Sequence, residues 1–250
     1  MRPKRIGVVG GMGSRAGAAL FSKLIDYSPA VKDQDFPEIT VHSNSNIADR
    51  TEAILYRMES PLPELVRSIR FLNLCDVDVI IMACITSYFH YHHLVKATNA
   101  KLIHPVDLVI RFLKARYPAI KSIGLLATTG TIKSGLFKKQ CEENDLTFLM
   151  LDDVSQEKYF MKSVYMNGGL KSSIISEEAR NLMITAAEKL KQQGAQVLIG
   201  GCTEVQLAIK EGMFEIPFVD VTDVMAREVI NYCFGKESLI VEANNLRYAS

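Results

Sequence analysis

Two cysteines carry the strongest chemical signal in this chain. Cys84 closes the run Val79-Ile80-Ile81-Met82-Ala83, and Cys202 closes Val197-Leu198-Ile199-Gly200-Gly201, so each follows an apolar segment that reads as a strand. Either one alone is most simply a small buried hydrophobe, because free cysteine is among the most buried residue types. Their neighbours change that reading. Thr86 and Ser87 follow Cys84, and Thr203 and Glu204 follow Cys202. These place hydroxyls and helix-start N–H groups beside each sulfur, a setting expected to lower a thiol's pKa. Cys75, Cys141 and Cys233 lack such company and read as structural. Two thiols that approach one carbon from opposite sides are what a two-base proton transfer requires.

The other polar motifs fall into place around this pair. Gly10-Gly11-Met12-Gly13-Ser14-Arg15-Ala16 fits a loose dinucleotide fingerprint, Gly11-x-Gly13-x-x-Ala16. That reading wants an acidic residue at the end of the second strand, whereas Asp33 and Asp35 precede it and the strand runs out into Ser43-Asn44-Ser45-Asn46. The glycines still let backbone N–H groups approach a carboxylate at a helix N-terminus. In Asp49-Arg50-Thr51, a loop arginine is able to clamp a carboxylate with two hydrogen bonds; on that run alone, an exposed helix-start Arg50 paired with Asp49 is the simpler reading. His90, His92 and His93 lack a carboxylate at ligand spacing and read as a solvated or interface patch, with no metal site. Thr128-Thr129-Gly130-Thr131 offers hydroxyls where the glycine loop offers bare backbone. There is no GxSxG, no P-loop lysine and no Schiff-base context, and none of these residues calls for a cofactor.

The elements that position these residues alternate between short apolar runs and amphipathic stretches. Arg5–Val9, Glu38–His42, Val77–Met82, Lys101–Pro105, Ser122–Ala127, Leu146–Leu151, Gln196–Ile199 and Pro217–Val221 read as strands. Pro63–Leu74 and Ser176–Gln193 read as helices, with Leu65, Ile69 and Leu72 on one face of the first and Ala179, Leu182, Met183, Ala186, Ala187 and Leu190 on one face of the second. Near-continuous apolar strands alternating with helices predict an α/β fold with parallel sheets covered on both faces. An internal echo refines this. Lys4-Arg5-Ile6-Gly7-Val8-Val9-Gly10 resembles Lys121-Ser122-Ile123-Gly124-Leu125-Leu126-Ala127, and Val79–Cys84 resembles Val197–Cys202. Ile123 lies 117 positions after Ile6, and Cys202 lies 118 after Cys84. The shared offset predicts two similar parallel-sheet α/β domains related by a pseudo-twofold: residues 1–113, with 223–250 packing back on them, and residues 114–222. Ligands bind beyond the carboxyl ends of parallel strands, so the expected site is the cleft between the halves.

Composition narrows the partner. The 250 residues carry 29 Lys+Arg against 28 Asp+Glu, a formal net charge of +1, with 48% hydrophobic residues. That is ordinary globular composition, with no charge excess to draw the chain onto nucleic acid or an anionic bilayer. A small molecule is left as the partner. The N-terminal apolar run reaches glycines too soon for a signal h-region, and Val77–Ile85 contains Asp78 and is about half a membrane span. An odd number of widely spaced cysteines without a CxxC pair reads as a cytoplasmic chain with reduced thiols.

Taken in order, Gly10-Gly11-Met12-Gly13, His42-Ser43-Asn44 with Asp49-Arg50-Thr51, Met82-Ala83-Cys84, Leu126 to Thr131 and Gly200-Gly201-Cys202-Thr203-Glu204 resemble the cofactor-independent aspartate/glutamate racemase family. The resemblance runs over roughly residues 5 to 230. It implies two α/β domains with the active site between them, usually in a homodimer, and no cofactor. It makes Cys84 and Cys202 the acid/base pair and gives Arg50 the substrate's side-chain carboxylate. Gly11, Met12 and Gly13 of the glycine loop, and Ile85, Thr86, Thr203 and Glu204 after the cysteines, would hold the α-carboxylate and amino group. Asn44, Thr128 and Thr131 belong to the same substrate-binding set.

Three departures stand out. Relatives follow the first cysteine with Asn-Thr, whereas this chain has Ile85-Thr86; Ser14, Ser45 and Ala48 stand where prolines are common; and the lysine expected after an Ile-Tyr pair aligns only with Lys171, beyond Val164-Tyr165 and an apparent shortening. The expected activity is racemisation of aspartate, glutamate or a related amino acid without pyridoxal phosphate. The alternatives are a related isomerase or decarboxylase, against which the retention of both cysteines speaks, and an amino-acid-binding protein on the same scaffold, which Ile85 favours.

Overall fold

The computed structural model describes residues 2–240. Strands β1 (Ile6–Gly10), β2 (Ile39–Ser43), β3 (Val79–Met82) and β4 (Lys101–Leu102) form a parallel sheet in the order β2-β1-β3-β4. Strands β5 (Ser122–Leu126), β6 (Thr147–Leu149), β7 (Val197–Gly200) and β8 (Phe218–Asp220) form a second, also parallel, in the order β6-β5-β7-β8. The two orders are the same, and the echoed segments are the central pairs: Val9 lies opposite Met82 in the first sheet, and Leu126 opposite Gly200 in the second. All eight expected strands are present. The fourth is cut short, because Pro105 lacks an N–H to give a ladder and instead opens the helix Pro105–Arg116.

The helices follow from their apolar spacing. Leu65, Ile69 and Leu72 are fully buried on helix Leu62–Leu74, and Ala179, Met183, Ala186, Ala187 and Leu190 on helix Glu177–Gln192, where Leu182 is only half-buried. The Ser176 hydroxyl caps the latter by accepting from the Ala179 N–H at 3.1 Å.

Alternate residues of each central strand face different cores. Val9, Ile80 and Met82 pack with Leu65, Ile69 and Leu72, while Leu126 and Leu198 pack with Met183, Ala187 and Leu190. The opposite faces meet in one shared core, in which Ile6, Val8, Val79 and Ile81 join Ile123, Leu125, Val197 and Ile199. Each of these fully buried aliphatic side chains contributes about 1.5–3 kcal/mol. Helix Val221–Cys233 seals that core: although it follows β8, it packs on helices Ser14–Asp26 and Pro105–Arg116, and Lys4 N–H donates to the Cys233 carbonyl at 3.1 Å. Residues 241–250 of the expected C-terminal segment lie outside the described part. No helix among the described residues is long and apolar enough to cross a membrane.

Candidate active site

The carboxyl ends of β1 and β3 and those of β5 and β7 converge on one buried pocket. Its walls are Met12, Arg50, Thr51, Cys84, Ile85 and Thr86 from the first half, and Thr128, Tyr165, Lys171, Cys202, Thr203 and Glu204 from the second. The pocket is tight: its free volume of about 10 Å³ is the space of roughly one water molecule. Both cysteines are free thiols, each 7% exposed.

Arg50 is the first residue of helix Arg50–Tyr56, capped by Asp49, whose Oδ1 accepts from the N–H groups of Thr51 (2.8 Å) and Glu52 (3.1 Å). The exposed arginine that the local run suggested is not what forms. Arg50 is 6% exposed and turned inward, donating to the carbonyls of Met12 (2.9 Å), Ala48 (3.0 Å) and Ile47 (3.4 Å). Its Nε is buried with no partner. Burial works against the guanidinium charge, but the neighbouring Cys84 sulfur and the Asp49 carboxylate outweigh it and hold the pKa above the ordinary arginine value.

The opposite wall is acidic. Cys202 Sγ donates to Glu204 Oε2 at 3.0 Å, and Thr203 Oγ1 lies 3.1 Å from the same oxygen and 3.4 Å from the Ala83 carbonyl of the other half. Glu204 Oε1 is buried without a partner. It sits over the glycine loop, 3.1 Å from where a Cβ on Gly13 would stand. Burial, and then the Glu204 charge and hydrogen bond, push the Cys202 thiol well above its ordinary range. This corrects the sequence expectation of a lowered pKa at Cys202. Helix-start N–H groups were counted there, but the desolvation and the carboxylate were not.

Between the halves, three hydroxyls close a triangle. Thr86 Oγ1 lies 2.7 Å from Thr131 Oγ1 and 3.1 Å from Thr128 Oγ1, with 3.1 Å between the latter two. Nearby, Gly130 lets helix Thr129–Lys133 touch helix Arg50–Tyr56: a Cβ there would stand 2.7 Å from Thr51 Oγ1. At the mouth, Lys171 Nζ lies 3.2 Å from the Tyr165 hydroxyl, 4.3 Å above its ring centroid, and 3.7 Å from Asp49 Oδ2. Burial opposes the Lys171 charge, but Tyr165, Glu204 and Asp49 together raise its pKa well above the ordinary lysine value. Beyond Thr51 and Tyr165, which line both spaces, an outer cavity of about 370 Å³ extends along Leu55, Tyr56 and Met161.

Of the residues singled out in the sequence, Met12, Arg50, Ile85, Thr86, Thr128, Thr203, Glu204 and Lys171 line the pocket with the two cysteines. Gly13 stands against two of them, Glu204 and Lys171, whereas Gly11 packs against the Asn44 main chain. Thr131 stands behind, holding Thr86. Asn44 also lies outside the lining, and its amide donates to Glu64 Oε2 (2.9 Å) and Ser68 Oγ (3.1 Å). Thr51 and Tyr165 line the pocket but were not singled out. Thr51 had a signal, its place beside Arg50, whereas Tyr165 reaches the site only through tertiary packing.

Known proteins place this arrangement in a family. Residues 9–229 match the Asp/Glu/hydantoin racemase family. The chain is 24% identical over 240 residues to the broad specificity amino-acid racemase RacX of Bacillus subtilis (strain 168), a match covering 93% of this chain and 100% of that protein. The structure is similar to Picrophilus torridus aspartate racemase, with a TM-score of 0.82 and 26% identity over 94% of this chain and 96% of that one. It shares its fold with glutamate racemase from Francisella tularensis in complex with D-glutamate, with a TM-score of 0.61 and 14% identity over 100% of this chain and 86% of that one. The chain belongs to the Asp/Glu/hydantoin racemase family and is an isomerase.

Proposed function

We propose that the protein interconverts the enantiomers of aspartate, glutamate or a related amino acid by a two-thiol, two-base proton transfer at the α-carbon. The observation that carries this reading is the meeting of Cys84 and Cys202, from the ends of β3 and β7, in one buried pocket. One cysteine, as thiolate, removes the α-proton; the other, as thiol, returns a proton to the opposite face. The unpartnered Nε of Arg50 is available to a substrate carboxylate, and the unpartnered Oε1 of Glu204 to an ammonium group.

Acidity sets the difficulty, because a thiol of reference pKa about 8.5 must take a far less acidic carbon-bound proton. The main contribution is then stabilisation of the carbanion by fixed donors around its carboxylate, strengthened by the exclusion of water from the closed pocket. A pocket with room for about one water holds no amino acid as it stands, so substrate entry requires the halves to part and close again. Retention of both thiols argues against a one-cysteine decarboxylase. The same proposal places the chain in the cytoplasm as a homodimer; the five free thiols suit a reducing compartment, and sedimentation velocity tests the dimer.

The test is α-proton exchange. The protein, with no pyridoxal phosphate added, is incubated in D2O with L-aspartate and separately with L-glutamate, while NMR follows the α-proton and chiral chromatography the D-isomer. Loss of the α-proton signal with growth of the D-isomer is expected. A second reading, amino-acid binding without turnover, is favoured by Ile85, which puts an aliphatic wall where relatives offer an amide. It predicts a rise in melting temperature with ligand and no exchange across a wide amino-acid panel.

A further inference from the structure

The surroundings of the two thiols are not equivalent. Cys84 lies beside the Arg50 guanidinium. Cys202 lies 3.0 Å from Glu204 Oε2, and only a protonated sulfur is able to donate to a carboxylate. Glu204 is 3% exposed, and Thr203 aims a hydroxyl at the same oxygen from 3.1 Å. A thiolate at Cys202 would put two negative charges 3.0 Å apart in a pocket with almost no solvent.

We propose that Glu204 sorts the protons of the resting site, holding Cys202 as the thiol donor and leaving the role of base to Cys84, which lies beside Arg50. The proposal rests on the two-thiol reading and deepens it, because it names the group that makes one cysteine acid and the other base before substrate arrives. Glu204 is in this respect a positioning residue for the Cys202 proton. The charged and titratable groups facing Cys202 are Glu204 on its own loop, Lys171 from the other side of the second half, and Arg50 and Cys84 across the pocket, with Asp49 and Tyr165 behind Lys171. Lys171 pulls against Glu204, but burial and Glu204 prevail.

The proton count closes over a turnover. The Cys84 thiolate takes the α-proton and becomes a thiol. The Cys202 S–H bond breaks as the new C–H bond forms on the other face, leaving a thiolate against Glu204. The two sulfurs share one proton before and after, but the second arrangement is the repulsive one. The enzyme returns to rest when Cys84 gives its proton to water and Cys202 takes one from water.

The test labels the full-length protein with iodoacetamide across a pH series, with peptide mass spectrometry following each cysteine. Accessibility scales the rate of labelling, but the pH midpoint reports the thiol's own ionisation. The Cys84 midpoint is expected well below that of Cys202, and Glu204→Gln is expected to lower the Cys202 midpoint by at least about one pH unit, a tenfold faster reaction at fixed pH on the rising limb. Coincident midpoints in the unmodified protein would overturn the proposal. So would a Cys202 midpoint unmoved by Glu204→Gln in a variant with the native circular dichroism spectrum. The comparison within the unmodified protein decides even if that variant misfolds. Labelling needs no turnover, so split midpoints without α-proton exchange would sink the racemase reading and leave the proton assignment standing; exchange with coincident midpoints would do the reverse.

Discussion

The Tyr165 hydroxyl donates to Asp49 Oδ2 at 3.1 Å, joining the second half of the chain to the first over the mouth of the pocket. The two residues are 116 positions apart, and Lys171 stands against both. The contact lies beside the pocket, which has room for about one water, and the proposed parting of the halves on substrate entry would break it. Tyr165 is itself affected: burial first, with Asp49 adding to it, raises its phenol to about 12, so the hydroxyl remains a donor at any working pH.

Tyr165→Phe keeps the ring under Lys171 and removes only the hydroxyl. One hydrogen bond contributes about 1 kcal/mol, so the closed complex should weaken about fivefold. The expected outcome is a KM raised by about that factor with a smaller change in kcat, read by chiral chromatography of initial rates. An unchanged KM would mean that the contact plays no part in closure.

Cys84→Ser and Cys202→Ser should each lower racemisation by about 10²- to 10⁴-fold, the range for losing a positioned acid or base. The double variant should be scarcely worse than either single one, because groups that act as a unit are not additive. Strict multiplication of the two losses would point to independent roles, against a single transfer through both sulfurs.

The eight strands, their parallel sheets and the place of each thiol at a strand's end were legible in the chain because apolar runs ending in small residues mark buried parallel strands, and ligands gather at their carboxyl ends; the order of the strands within each sheet was not. The 117–118 offset was legible for the same reason, since it matches β1 with β5 and β3 with β7. What stayed hidden depends on side-chain direction. Asp49-Arg50-Thr51 reads equally as a surface helix start; only the fold turns Arg50 onto the Met12 and Ala48 carbonyls. Glu204 follows Cys202 by two positions, and no spacing rule says that its carboxylate turns back to the sulfur and reverses the expected pKa shift. Asn44 entered through family resemblance, and in the structure its amide donates to Glu64 and Ser68. Lys171 entered through family resemblance alone, and Tyr165 through packing alone.

Gly11→Ala tests how tightly the glycine loop is built. Gly11 has φ +89°, and a Cβ there would stand 2.3 Å from the Asn44 carbonyl carbon. Both the left-handed backbone and the collision fall on rigid main chain, so a loss of more than about 2 kcal/mol is expected, or about 4–8 °C in melting temperature for a chain of this length. Gly135 is the control, with φ +73° and nothing within 4 Å of a Cβ. Gly135→Ala should cost about 1 kcal/mol or less. Equal losses at the two sites would show that backbone conformation, not the contact with Asn44, sets the cost.

Asp49 ties the helix cap to the mouth of the pocket, and its pH dependence separates charge from shape. Burial pushes its carboxyl up, but Lys171, the Glu52 N–H, Arg50 and Tyr165 outweigh that and hold it below the ordinary value. A folded pKa below the unfolded one, about 3.9, means that its contribution is complete above that value and is lost as pH falls through the folded pKa. Asn caps helices about as well as Asp, so Asp49→Asn removes the charge with little loss of capping. The melting temperature of the unmodified protein should exceed that of Asp49→Asn by a constant margin between about pH 5 and 7, and the margin should close below about pH 4. Thermal unfolding at intervals from pH 7 to pH 3 reads it directly. A margin that persists at the acid end would assign the difference to packing or hydrogen-bond geometry and not to the Asp49 charge.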